Sequence, residues 1–117
     1  MPEKVRPEVA ISLDKERHLR FDVNAMVTFE ELTGLNLLNP AVQKNLARDM
    51  TVAQFRAFLY SCLIHEDETL TLKQVGSFIT RENMQEIAMR LSEAQKLATA
   101  VDKEAKETAP LAESPTG

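Results

Sequence analysis

Cys62 and His65 stand three residues apart in what reads as one helix, and a thiolate beside an imidazole is the pairing from which nucleophilic catalysis is built. Cys62 also falls within an apolar stripe, where a free cysteine behaves as a small hydrophobe. The expectation is therefore a core residue rather than a nucleophile. His18, the other of the two histidines, reads as a solvated side chain on the polar face of a strand. Two histidines and one cysteine fall short of a zinc site without carboxylate help. The acidic run Glu66-Asp67-Glu68 invites comparison with a calcium loop, which needs glycine at its sixth position and glutamate at its twelfth. Counted from Asp67, those positions hold Leu72 and Phe78; counted from Asp14, they hold Leu19 and Ala25. The run thus reads as a solvated helix end. The carboxylate pairs Glu30/Glu31 and Glu82/Glu86 have no candidate nucleophile beside them and read as exposed helix faces. Gly34, Gly76 and Gly117 lie too far apart to cradle a phosphate. No catalytic residue, metal or cofactor is expected.

Composition narrows the class further. The chain has 117 residues, 44% of them hydrophobic and 27% charged, as in a soluble globular protein with one core. Fourteen basic against eighteen acidic side chains, a net charge of −4, give no concentrated basic face for nucleic acid. The longest apolar-rich stretch, Ala57 to Ile64, is far shorter than the roughly 20 residues that span a bilayer. The N-terminus carries charges and no apolar segment, so it is not read as a secretory signal. With a single cysteine, this points to a cytoplasmic protein.

The elements that would position any site follow from periodicity. Residues 1–7, with two prolines, read as a flexible lead-in to a single domain over 8–106. Val9, Ile11 and Leu13, then Leu19, Phe21 and Val23, alternate with polar residues on either side of Asp14-Lys15-Glu16-Arg17. This is an antiparallel hairpin with a loop of about four residues. Asn24 suits the N-cap of a short helix ended by Gly34. Asn39-Pro40 starts another, with Val42, Leu46 and Met50 at spacing four. Thr51-Val52-Ala53-Gln54 fits a capping box and opens the most apolar helix, whose stripe is Val52, Phe55, Phe58, Leu59, Cys62 and Leu63. Thr71-Leu72-Lys73-Gln74 repeats the box ahead of Leu72, Val75, Phe78 and Ile79. Thr80 caps a long last helix with Met84, Ile87, Ala88, Leu91, Ala94, Ala98 and Val101 on one side. From 107 to 117 no period remains, and a disordered tail is expected. The fold class is α+β and mostly helical, a hairpin followed by four to five helices.

The order of these elements carries a resemblance. Ile11-Ser12-Leu13 and Leu19-Arg20-Phe21-Asp22-Val23 are followed by Phe29-Glu30-Glu31-Leu32-Thr33-Gly34, by Thr51-Val52-Ala53-Gln54-Phe55-Arg56-Ala57-Phe58-Leu59-Tyr60, and by Leu70-Thr71-Leu72-Lys73-Gln74-Val75-Gly76. Over about residues 8 to 100 the chain resembles the small tail assembly chaperones of long-tailed bacteriophages, prophages and gene transfer agents. The resemblance implies a non-enzymatic protein of the host cytoplasm that binds the tape measure protein, keeps it soluble, helps bring tail tube subunits to it and is absent from the finished virion. It also implies a second form extended by ribosomal frameshifting, for which the segment beyond Lys106 is a suitable junction. It transfers no site residue. On physical grounds alone, Phe58, Tyr60 and Ile64 from the overfull central helix, with Met89 from the last one, are the expected partner-binding groove. Two other readings stand beside this one. The first is a small cytosolic adaptor whose apolar face closes a homo-oligomer; the second is an enzyme or metal-regulated protein using Cys62, His65 and the acidic run.

Overall fold

The structure is a computed structural model that describes residues 8–108, with side chains described for 8–98. The lead-in 1–7 and the tail from 109 lie outside the described residues. Two strands, β1 (Val9–Ser12) and β2 (Glu16–Leu19), precede five helices: α1 (Val23–Thr33), α2 (Pro40–Arg48), α3 (Val52–Leu63), α4 (Leu72–Phe78) and α5 (Met84–Thr108). The α+β class is as expected, and the last helix runs two residues beyond 106.

The strands pair antiparallel with Val9 opposite Leu19 and Ser12 opposite Glu16. The loop is therefore Leu13-Asp14-Lys15, and Glu16 and Arg17, both expected in the loop, belong to the strand. The reason is electrostatic. The Arg17 guanidinium donates from Nε and Nη2 to both carboxylate oxygens of Asp14 at 2.7 and 2.9 Å, a fork that clips the tip of the hairpin together. Arg17 consequently faces inward beside Val9, Ile11 and Leu19, and is only 4% exposed. Its Nη1 stands 3.6 Å from Asp67 Oδ2, and its Cζ lies 5.2 Å from the centre of the Phe78 ring, a cation–π distance.

β2 ends early because Asp22, not Asn24, is the helix cap: its Oδ1 accepts the Ala25 N–H at 3.0 Å. Val23, expected on the inner face of a strand, becomes the first helical residue and is 68% exposed. Phe21, just beyond the strand, stays buried. The other helix boundaries follow local chemistry. Gly34 closes α1 at φ 75°, a left-handed conformation that costs glycine nothing. Both capping boxes form, Thr51 with Gln54 and Thr71 with Gln74. Thr80 Oγ1 accepts the Asn83 N–H and Asn83 Oδ1 accepts the Thr80 N–H, reciprocal bonds that lead into α5.

The hairpin lays its inner face on α3 and on α5, while α1 and α4 pack on the flanks of α3. Leu19, Leu59, Cys62, Leu63, Val75, Ile87 and Leu91 form the centre. Gly76 lets α4 approach α3 closely, since a Cβ there would come within 3.1 Å of Arg56 Cδ. Among the described residues, Leu32 on α1, which stands at spacing three from Phe29, Val52 at the first turn of α3 and Ala88 on α5 face solvent where spacing predicts core, and Val101 of the α5 stripe lies outside the described side chains. Among the described residues no helix is long and apolar enough to cross a membrane.

Candidate functional site

Three aromatic rings meet at a place where the fold departs from close packing. Phe58, from α3, meets Phe21 edge-on at 5.0 Å between centroids and Phe29 of α1 at 5.8 Å, the T-shaped geometry that opposed ring quadrupoles favour. On top of this floor is a cavity of about 210 Å³. Leu46 and Ala47 come from α2, none of whose residues is buried, so this helix forms the roof; Met26, Leu37, Gln95 and Ala98 join the lining. A shallower recess of about 410 Å³ opens next to it, between Phe55, Val52, Met84 and Ala88, with Arg81 at its edge. Met50 lines both. Leu38, beside the cavity-lining Leu37, is 87% exposed.

Of the four expected groove residues, only Phe58 lines this cavity. Tyr60 and Ile64 follow Phe58 by two and six residues, which at 100° per residue turns them by about 200° and 240° around α3. Tyr60 instead packs half-buried against the core, Ile64 is the half-buried C-cap of α3, and Met89 is 58% exposed on α5 outside both concavities. The four do not come together. Leu46 and Met50, whose spacing of four marks α2, also line the cavity, though spacing alone assigns them to no groove; the lining without a periodic signal is Leu37, Gln43 and Ala47.

The residues singled out for catalysis are placed apart from one another. Cys62 is fully buried, and burial pushes its thiol well above the usual range. His65 directs Nε2–H to the His18 carbonyl at 2.7 Å rather than to a thiolate. Among the described residues no group of three or more His, Cys, Asp and Glu side chains is arranged to hold a metal ion.

His18 and the acidic run are not merely solvated. Glu66 accepts from the His18 backbone N–H at 3.1 Å and pairs with His18 Nδ1 at 2.6 Å. Arg20 N–H donates to the Cys62 carbonyl at 3.1 Å, satisfying one of the free carbonyls at the end of α3. Arg20 also pairs with Glu8, whose carboxylate stands 3.9 Å from His65 Nδ1. Together these bonds stitch β2 to the C-terminus of α3.

Among these bonds, the His18–Glu66 pair responds to pH. The hydrogen bond to Glu66 comes first in holding His18 above its ordinary 6.5, aided by Glu16 and Glu8 and opposed by slight desolvation. Burial pushes Glu66 up, but the hydrogen bonds from the His18 ring and backbone outweigh it and leave the carboxyl below its ordinary 4.5. Stability from a raised histidine is complete below its unfolded pKa and is lost as pH rises through the folded one; a lowered carboxyl loses its share as pH falls through its folded value. The pair is strongest from about pH 4.5 to 6.5. The thermal midpoint of His18→Gln is expected to fall furthest below that of the parent inside this window, with the gap closing on both sides. A gap independent of pH from 3 to 9 would show that the pair does not contribute by charge.

Comparison with family models, with curated proteins and with solved structures finds no match for this chain.

Proposed function

We propose that the protein is a tail assembly chaperone, non-enzymatic, that holds the helical tape measure protein of a phage or prophage through the cavity roofed by α2 and helps bring tail tube protein to it in the host cytoplasm. The observation that supports this reading is the aromatic-floored cavity itself, apolar within and edged by Gln43 and Gln95. Such a site suits an amphipathic helix, which offers apolar side chains at spacings of three and four and leaves its polar face in water. A small apolar site with few fixed polar contacts gives modest affinity and little register specificity. Both properties serve a chaperone, which must release a long repetitive client to the growing tube.

Co-expression with the tape measure protein, followed by affinity capture and a solubility assay, tests the reading. Leu46 and Met50 are each only half-buried, so changing both to Asp is expected to leave the fold intact and to lower client capture at least about tenfold, the loss of roughly 1.4 kcal/mol of binding. Undiminished capture by this variant would remove the cavity from the client site. Failure of the parent to retain the client, together with a native mass of two or more chains, would favour the homo-oligomeric adaptor instead.

A further inference from the structure

We propose that α2 is a flap, which covers the aromatic floor of the cavity when closed and lifts away as a unit about the segments 35–38 and 49–50 while α1 and α3 stay packed.

Four observations converge on α2. It contributes no buried residue, whereas α1 buries Ala25 and Phe29, α4 buries Val75 and α3 buries five residues. Close packing is the rule in protein interiors, yet the roof residues Leu46 and Ala47 face a solvent-accessible concavity of about 210 Å³ instead of packed side chains and so make fewer contacts within the protein on that side. With nine residues, α2 is shorter than the 12–15 or so at which even favourable isolated helices become marginal in water. Its persistence therefore depends on this thin attachment.

The fourth observation is the independence of its two neighbours. α1 is closed by its own Gly34 N–H, which donates to the Glu30 carbonyl at 2.7 Å. α3 is opened by its own Thr51/Gln54 box. The Phe29–Phe58 contact joins those two helices without α2. Even the start of α2 is capped locally, by Asn39 Oδ1 accepting from Ala41 N–H and by Gln43 Nε2 donating to the Leu37 carbonyl. Among the described residues, this stretch is held to the body by the bond from Leu37 N–H to Glu30 Oε2 at 2.8 Å and by the packing of Leu37 against the core, and both hold the hinge rather than the helix. Lifting the flap thus breaks no bond on which α1 or α3 depends, and it bares Phe29 and Phe58.

That the flap governs entry of the client helix rests on the chaperone reading; that it moves does not. The test is accordingly made on the full chain with no client present, by amide hydrogen exchange. The amides of residues 43–48 are expected to exchange at least about 100-fold faster than those of 57–63 in α3, through an opening nearly independent of denaturant, while the amides of 29–33 in α1 keep the protection of α3. Ala47→Leu, which extends a side chain into the cavity, is expected to slow the exchange of 43–48 roughly tenfold without changing α3, because newly buried methyl groups strengthen only the closed state. Exchange of α1, α2 and α3 at one common rate, or an unaltered α2 rate in Ala47→Leu, would overturn the flap. Loss of client capture by the Leu46→Asp, Met50→Asp variant bears on the chaperone reading separately, so each can fail alone.

Discussion

Phe29→Ala is expected to destabilise the protein by about 4–5 kcal/mol, near the top of the range for a buried Phe truncated to Ala. Phe29 is fully buried and is the α1 member of the aromatic floor. Its removal loses the transfer energy of the ring and the edge-on contact with Phe58. It also leaves a hole that cannot be closed from above, since the space over it is already open. Against the 5–15 kcal/mol that holds typical domains together, urea denaturation should find a barely stable variant. Leu46→Ala, on the roof of the same cavity, should cost only about 1 kcal/mol, because Leu46 is half-buried and gains little from closure. Equal losses at the two positions would show that floor and roof form one packed unit.

Arg17→Ala should be the second large loss, about 2–4 kcal/mol. The arginine is sequestered between the hairpin and α4, and its removal leaves Asp14 and Asp67 without their cation and Phe78 without its cover. Truncating one member of a buried ion pair is costly because the remaining charge keeps its desolvation without its partner. The upper end of that range is moderated here by carboxylates that are still 39% and 31% exposed. Arg17→Lys should recover less than half of the loss, since an ammonium reproduces neither the two-pronged bond to Asp14 nor the flat face against Phe78. The Arg17 guanidinium, by hydrogen bond and then by charge, keeps the Asp14 carboxyl below its usual value against the effect of burial. Urea midpoints of the three proteins at neutral pH decide the matter, and a loss under 1 kcal/mol in Arg17→Ala would place the pair with ordinary surface salt bridges.

Features governed by neighbours in sequence were legible. The two Thr/Gln capping boxes, Asn39 ahead of Pro40, and Gly34 as a helix stop are each specified within four residues, and each forms. Leu59, Cys62 and Leu63 were likewise readable as core from their spacing on α3. The failures have a common cause in pairings over distance. His18 and Glu66 are 48 residues apart in the chain, and no periodicity signals that they meet. The inward turn of Arg17 needed knowledge of Asp14, Asp67 and Phe78 at once; without it, a charged residue beside a polar loop is assigned to the loop. Val23 satisfied the alternation of a strand, but the cap provided by Asp22 ended the strand first. For the site, the sequence could show that α3 carries more apolar surface than one face needs. It could not show how that surface is shared among α1, α4 and β2, so it placed Tyr60 and Ile64 in a groove whose floor is Phe58 alone on that helix.

The packing of the hairpin against α5 has a consequence for synthesis on the ribosome. Val9, Ile11 and Leu19 are made before Ile87, Leu91 and Ala94, which complete their cover and are joined to the chain roughly 75 residues later. At about 5–20 residues per second, the inner face of the nascent hairpin waits on the order of 4–15 s for its cover. A two-stranded hairpin is at best marginal alone. The fold over these residues therefore closes only once α5 has been made and covers the strands.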